Sequence, residues 1–384
     1  MDKLKGKFKI NTNIRQFSML IALVVIMVFF QWLTGGILLT PQNVTNLIMQ
    51  NGYVIILTVG MLLCIVSSGN IDLSVGSVVA FVGAVLGELI VGMGVSTYIA
   101  IPAALVIGAL IGAWQGFWIA YMRIPAFIVT LAGMLVFRGL TQLVLQGHTV
   151  SPFPEGFTLI SSGFVATPAA ALILGGVAIA IYVFMSIRRR MKKRKNGFAV
   201  TSLAFFVISL VAVSAAIGLF ALWLYLYKGV PVVLVLMLTL IIVYSFFVSK
   251  TVPGRYLYAM GGNEKAAILS GIKTKKVLFL TFVNMSVLAA VAGIVYTSRL
   301  QAATPTAGLN FELDAIAACF IGGASNSGGV GTVIGAVIGA LVMGVLNNGL
   351  SIMGVGSDLV QTIKGLVLLA AVVFDIVSKS RAKA

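Results

Sequence analysis

Charged residues are scarce in this chain. Of its 384 residues, 9% are charged and 60% are hydrophobic, and the mean hydropathy is +1.11. A soluble domain usually contains about 25% charged residues, so this composition excludes an ordinary globular protein. We expect an all-α, polytopic integral membrane protein in which residues 1–384 form a single transmembrane domain.

Residues that perform chemistry are also rare. The two cysteines, Cys64 and Cys319, lie in apolar segments, so neither a disulfide framework nor a zinc site is indicated. The one histidine, His148, falls in a predicted loop. No G-x-x-x-x-G-K-[ST] motif occurs. We therefore expect no catalytic residue, no metal site, no cofactor and no enzymatic activity, and any ATP that drives this protein must be bound by another chain.

Acidic residues are missing from the middle of every long predicted span. A charge at that depth costs roughly 2.5–3.5 kcal/mol on insertion scales, a cost that proton- or sodium-coupled carriers accept. The pattern favours a neutral pathway powered from elsewhere. Two acids near the predicted outer edge, Glu312 and Asp314, are interpreted as helix caps or as contacts for a partner. The nine acids are Asp2, Asp72, Glu88, Glu155, Glu264, Glu312, Asp314, Asp358 and Asp375.

Basic residues give a formal net charge of +17, and they are clustered. This distribution follows the positive-inside rule and does not indicate a nucleic-acid-binding patch. It predicts a multi-pass plasma-membrane protein with both termini in the cytoplasm. The first apolar run continues to Leu39 and no small-x-small cleavage site follows, so we expect an uncleaved first span. The clusters lie at residues 3–15, in a predicted basic cytoplasmic loop at 188–197, within 253–276 and at 379–383.

Apolar runs of about 20 residues predict about twelve transmembrane helices, an even number that satisfies both cytoplasmic termini. The segment Phe311–Ala324 is too short to span easily and is expected to be a short or re-entrant helix. The predicted spans are 18–39, 47–66, 71–93, 97–121, 126–145, 165–187, 199–226, 230–248, 277–296, 311–324, 330–352 and 359–377.

Two glycine-rich interruptions, at residues 67–76 and 322–331, each lie between an apolar run and a helix with small residues at helical spacing. Paired interruptions in two halves of a transporter indicate a transport path, although close helix packing also explains the glycines. Polar side chains near hydrocarbon are expensive, so those in and near the interruptions are candidates for the path. A pair of amides in the penultimate span is added as a possible solute contact, with interhelical hydrogen bonding as the alternative. The candidates are Asn70, Asp72, Ser74, Asn326, Asn347 and Asn348.

Residues 253–276 form a polar island between two apolar runs. Asn263 is a good N-cap, Glu264 lies in the first turn, and Gly271 is suitably placed after the last turn. These signals predict a capped helix at Glu264–Ser270, outside the hydrocarbon, with a small apolar face suited to a groove on another protein. The alternative is an ordinary structured loop between two spans.

The sequence GRYLYAMGGNEKAAILSGI in this island resembles the cytoplasmic loop of the sugar permease subunits of ATP-binding-cassette importers, the ribose and xylose permease family. GNIDLSVGS at 69–77, PTAG at 305–308, ELDAIAA at 312–318 and LNNGL at 346–350 are similar to stretches of the same family. The match is weakest over 150–249, where the basic segment and its extra spans look like an insertion relative to ribose-type members. Xylose and multiple-sugar members are more similar.

The resemblance implies a permease for a monosaccharide, with the translocation path formed by two copies of the chain. It also implies a separate ATPase subunit in the cytoplasm and a sugar-binding protein outside the membrane. Residues 253–276 would then be the coupling loop, with Arg255 and Glu264 holding it in place. The matching positions expected to couple to the ATPase are Arg255, Gly262, Asn263, Glu264, Ala267 and Gly271.

Two alternatives remain open. One is a stand-alone facilitator or secondary carrier, which would transport sugar without nucleotide or a partner chain. The other keeps the importer but changes the cargo to branched-chain amino acids. A zwitterion would need charge-complementary groups along the path, and the sequence offers few.

Overall fold

The computed structural model describes residues 13–165, 167–198 and 200–383, and they are mainly helical. The basic cluster predicted at residues 3–9 lies outside the described residues. In chain order the elements are α1 Asn13–Leu33, α2 Pro41–Ser68, α3 Val75–Gly87 continued by a π-helical turn at Glu88–Gly92, α4 Thr97–Ala120, α5 Ala126–Leu145, α6 Glu155–Ser162, β1 Phe164–Val165, α7 Ala169–Lys195, α8 Leu203–Tyr225, β2 Val230–Pro231, α9 Val232–Lys250, α10 Val252–Gly262, α11 Glu264–Leu269, α12 Thr274–Leu300, α13 Phe311–Ile321, α14 Val333–Ile352 and α15 Ser357–Lys383.

Within the described part of the chain, nine helices are long and apolar enough to cross a membrane: α2, α3 with its π-helical turn, α4, α5, α7, α8, α9, α12 and α14. The fold is therefore that of a polytopic helical membrane protein, and the exact number of twelve spans stays a prediction. The α13 helix has 11 residues. It rises about 16 Å, roughly half of a 30 Å hydrocarbon core, which agrees with a short helix at this position.

The centre of the molecule is α2. Almost every side chain from Val54 to Val66 is buried, and α12, α14, α13 and α10 pack around it. Small residues allow these helices to approach closely. Gly60 of α2 faces Met285 and Leu288 of α12, where an added Cβ would lie 2.7 Å from the Met285 sulfur. Association inside lipid depends on such packing, because burial from water supplies no driving force there.

The α4 and α12 helices also pack through small residues. Gly108 and Gly112 of α4 lie against the backbone of α12, and a Cβ at either position would be within 3.0 Å of α12 atoms. In contrast, α7 and α8 form a peripheral hairpin. Its buried residues are Ala171, Gly175, Ala221 and Leu224. The remaining, mostly apolar surface of this hairpin is suited to lipid contact.

The hairpin is closed at its base by two short strands, in which Phe164 pairs with Pro231 and Val165 with Val230. The basic segment predicted as a loop at 188–197 is helical up to Lys195, because α7 continues through it and ends with four basic residues in its last turn. Basic side chains are good helix formers and are favourable at the negative end of the helix dipole. A span and a charged extension thus share one helix.

Candidate coupling site and translocation path

The α11 helix has the capping predicted from sequence. The Asn263 side-chain oxygen accepts a hydrogen bond from the Ala266 amide at 3.0 Å. At the other end Gly271 has φ +81°. Its amide donates a hydrogen bond to the Ile268 carbonyl, and the Ile272 amide donates one to the Ala267 carbonyl. These two bonds define a Schellman motif. The helix ends at Leu269, one residue earlier than the predicted Glu264–Ser270.

The apolar face of α11 divides into a buried and an exposed part. Ala267 is buried against the protein, whereas Ile268 is 48% and Leu269 is 89% exposed. Glu264, Lys265 and Ile268 line a cleft of about 480 Å³ that also includes Asn70 at the end of α2. Two of the residues predicted from sequence, Asn70 and Glu264, are thus brought to one cleft. Ile268 and Leu269 thus form a small exposed apolar surface on α11.

The predicted loop-holding pair takes a different form. Arg255 on α10 and Glu264 on α11 are both exposed, and among the described residues no salt bridge joins them. Nothing lies within 4 Å of a Cβ added at Gly262. The adjacent Gly261 is the close contact, since a Cβ there would collide with the Val66 carbonyl oxygen and the Gly329 amide. The expected role of Gly262 in coupling stays a prediction, and Gly261 is the glycine of this pair that packs closely.

The two glycine-rich interruptions meet at α10. The Gly329 amide donates a 2.8 Å hydrogen bond to the Val66 carbonyl at the end of α2. A Cβ at Gly69, whose φ is +69°, would collide with the Asn326 carbonyl. We call this contact among α10, the end of α2 and the segment 326–331 the junction. It places α10, the element before α11, directly on the end of α2 and on the segment that precedes α14.

Tyr258 of α10 completes the junction. Its hydroxyl donates a 2.8 Å hydrogen bond to the Gly331 carbonyl, two residues before α14 begins. Burial raises the pKa of this hydroxyl above its ordinary value, so it remains a neutral donor. Sequence reasoning missed Tyr258, because one tyrosine in a polar island carries no signal of its partner.

Asp72 and Ser74 lie in the break between α2 and α3, and both are fully buried. The Asp72 Oδ1 atom accepts from the Ser74 amide at 2.9 Å and from the Ser74 hydroxyl at 2.6 Å. That hydroxyl accepts from Gln115 of α4 at 2.7 Å. No described residue donates to Asp72 Oδ2, and Gln115 Oε1 is likewise buried without a partner. The cluster therefore contains two acceptor atoms whose hydrogen-bonding capacity is unused.

The remaining path candidates are separated from this cluster. Asn326 is exposed beside Gly69, and Asn70 donates to the Ser68 hydroxyl at 2.9 Å. Near the opposite end of α2, the Asn43 amide donates to Asn348 Oδ1 at 2.8 Å, and Asn348 donates in return at 3.2 Å. These contacts agree with interhelical hydrogen bonding at Asn348. Asn347 lies beside it with its Oδ1 buried and without a described donor.

Two basic residues within predicted spans hold the segment around α13. Arg138 of α5 donates to the carbonyls of Pro305 and Ala307. Lys364 of α15 donates to Asp314 Oδ2 at 3.0 Å. Glu312 and Asp314 both lie in the first turn of α13, where an acid is favourable at the positive end of the helix dipole, and Asp314 also forms an ion pair with Lys364. Neither Arg138 nor Lys364 was predicted as a contact of this segment, because only acidic residues inside the predicted spans were considered.

A family model described as "Branched-chain amino acid transport system / permease component" matches residues 43–372. The chain therefore belongs to this family of transport permease components. It is 41% identical over 370 residues to the xylose transport system permease protein XylH of Escherichia coli (strain K12), covering 96% of this chain and 93% of that protein.

Two further relatives agree with this assignment. A Haemophilus influenzae protein with the same XylH description is 40% identical over 376 residues, covering 97% of this chain and 100% of that protein. The ribose import permease protein RbsC of Escherichia coli (strain K12) is 36% identical over 356 residues, covering 93% and 92%. The resemblance to ribose and xylose permeases is thus confirmed. No solved structure matches the chain.

Proposed function

We propose that this chain is the membrane permease subunit of an ATP-binding-cassette importer for a monosaccharide of the xylose type. The proposal is supported above all by the position of α11. This capped helix exposes Leu269, and α10 connects it to the end of α2 and to the segment before α14. The chain has no phosphate-binding loop of its own. A separate ATPase in the cytoplasm therefore supplies the energy, and α11 is its docking site.

The junction gives α11 a mechanical route to the spans. A movement of α11 displaces α10, which contacts Val66 through Gly261 and Gly331 through Tyr258. These contacts join one rigid element to the ends of two long helices. Because helices in close contact through backbone atoms cannot deform gradually, α2 and α14 move with α10. Of the coupling residues inferred from the resemblance, Asn263, Glu264, Ala267 and Gly271 lie in α11 or at its ends, where this route begins.

The buried cluster at Asp72 supplies acceptors for a sugar. A translocating hydroxyl could donate to Asp72 Oδ2 or Gln115 Oε1, which no described residue uses. Both residues are fully buried, so the helices around the break must separate before a solute reaches them. We assign Asp72, Ser74 and Gln115 to the path, with Asn70 and Asn326 near its cytoplasmic end and Asn347 toward the other face.

The complete transporter contains further chains on this proposal. A second copy of the permease completes the path, and an extracytoplasmic sugar-binding protein delivers the substrate. The chain lies in the inner membrane with both termini in the cytoplasm. The amino-acid alternative rests on the family description, but the relatives that align over more than nine-tenths of this chain are described as xylose and ribose permeases.

The decisive experiment combines purification and reconstitution. The tagged chain, expressed with its candidate ATPase, should retain that ATPase in detergent. Vesicles that contain both should take up labelled xylose only with ATP and a sugar-binding protein. Rapid xylose flux from the purified chain alone, without nucleotide, would establish the facilitator instead. ATP-dependent uptake of leucine in preference to pentoses would establish the amino-acid importer.

A further inference from the structure

A basic groove lies between the end of α7 and the start of α8. Its volume is about 660 Å³, and four cations line it: Arg189, Arg190, Lys192 and Lys193. Phe198 and Phe206 supply aromatic walls. No acidic residue of the described chain lines it. Four positive charges around one concavity without a counter-ion favour an anionic ligand.

The groove is organised by contacts of its own. The Arg190 guanidinium lies 4.7 Å from the centre of the Phe206 ring, and it donates to the Thr201 hydroxyl at 3.5 Å. These contacts connect α7 to the start of α8 and restrict the guanidinium. A stacked, oriented guanidinium suits a phosphate better than a freely moving one, because its paired N–H groups match two phosphate oxygens.

The position of the groove identifies the source of the anion. Both α7 and α9 start at the β1–β2 pair and are long enough to cross the membrane, so the end of α7 lies on the same face as α10 and α11. Next to the cations the hairpin exposes apolar side chains, including Phe184, Met191 and Leu203. A ligand in this groove would contact both the basic side chains and the lipid-facing surface of the hairpin.

We propose that this groove binds the headgroup of an anionic phospholipid, with the phosphate against Arg189, Arg190 and Lys193 and the acyl chains along the outer surface of α7 and α8. Basic pockets between helices on the cytoplasmic side are suited to such headgroups. A soluble phosphate compound would use the charges but not the adjacent apolar surface. This lipid site rests on the proposed orientation, in which α10 and α11 face the cytoplasm, and not on which solute is transported.

The test compares two triple variants of the full chain, purified in detergent. Arg189→Gln/Arg190→Gln/Lys193→Gln removes groove charges. Arg188→Gln/Arg194→Gln/Lys195→Gln removes the same number from the same helix end, at positions that do not line the groove. Native mass spectrometry measures binding of phosphatidylglycerol and of phosphatidylcholine with the same acyl chains. Unchanged melting temperatures confirm that both variants are folded.

We expect the groove variant to lose about tenfold or more in phosphatidylglycerol affinity, and the control variant to lose less than about threefold. Equal losses would show only diffuse charge attraction and would overturn the proposal, as would equal binding of phosphatidylcholine. Displacement of the lipid by millimolar inorganic phosphate would assign the groove to a soluble anion instead. Loss of ATPase retention with lipid binding intact would make the groove a protein contact.

Discussion

The hydroxyl of Tyr258 on α10 donates a 2.8 Å hydrogen bond to the carbonyl of Gly331, which precedes α14. This bond links an element outside the spans to the start of a helix that packs on α2. It is a single neutral hydrogen bond, so its removal changes stability by only about 1 kcal/mol. We expect its removal to weaken coupling, because no other described side chain of α10 forms a hydrogen bond to the segment before α14.

Tyr258→Phe should therefore separate ATP hydrolysis from transport. We expect near-normal expression and ATPase retention, continued ATP hydrolysis, and several-fold less xylose imported per ATP consumed. Tyr256→Phe is the matched control, since Tyr256 lies on the same helix and is 38% exposed. Equal ratios of xylose to ATP in the two variants would remove Tyr258 from the coupling route.

Adjacent glycines of α10 should respond differently to alanine. Gly261→Ala places a methyl group against the Val66 carbonyl and the Gly329 amide, which are backbone atoms that cannot turn away. We expect a loss of about 1–3 kcal/mol and severely reduced transport. Gly262→Ala meets open space and should be neutral or slightly stabilising. Thermal unfolding in detergent and ATP-driven uptake measure both, and equal behaviour would contradict the close contact assigned to Gly261.

Disrupting α11 should abolish docking without preventing membrane insertion. Ala267→Pro removes the amide that donates to the Asn263 carbonyl at 3.0 Å, and it costs the helix about 3 kcal/mol. Leu269→Glu puts a charge on the most exposed apolar side chain of α11. We expect both variants to lose ATPase retention in a detergent pull-down, while Leu269→Met retains it. Normal ATP-driven uptake by Ala267→Pro would exclude a coupling role for this helix.

Asp72→Asn should preserve the fold and impair transport. The asparagine oxygen can accept both Ser74 hydrogen bonds, so the melting temperature should change little. In asparagine an NH₂ group takes the place of Oδ2, and this group cannot accept a hydrogen bond from a sugar hydroxyl. A hydrogen bond to a charged group contributes about 1.5–3 kcal/mol, so uptake should fall about tenfold or more. Full uptake by Asp72→Asn would remove this carboxylate from the path.

The Asp314–Lys364 pair should show strong coupling in a double-mutant cycle. Asp314 is nearly inaccessible, with its side chain 3% exposed, so Lys364→Gln leaves a buried carboxylate without its partner, whereas Asp314→Asn leaves Lys364, whose side chain is 20% exposed. Lys364→Gln should cost about 3–5 kcal/mol and Asp314→Asn less, and the double variant should cost clearly less than their sum. Asp358→Asn, at an exposed acid of the same helix, is the control. Additive shifts in melting temperature would show that the pair is not coupled.

The nine long apolar helices of the described residues and α11 could be predicted from the sequence because their causes are local. Long apolar runs in lipid must become helices, since every backbone group needs an internal partner. Asn263 and Gly271 define the ends of α11 through bonds to residues only a few positions away. Such signals are contained in a short window of sequence.

The contacts that complete the site could not be predicted in this way. Gly261 and Gly262 look alike in sequence, and only the backbone opposite them distinguishes their roles. Asp314 and Lys364 are separated by 50 positions, so nothing nearby indicates the pair. Arg138 is different, because a lone charge in the predicted span 126–145 was itself a signal of a partner.

The β1–β2 pair has a consequence for how this transporter can be altered. It brings Val165 and Val230 side by side, so the chain leaves for α7 and returns from α8 at a single point. We therefore expect that a short glycine bridge between these two valines could replace the α7–α8 hairpin without shifting α6 or α9. The same geometry would let evolution add or discard two helices here while the rest of the bundle stays in place.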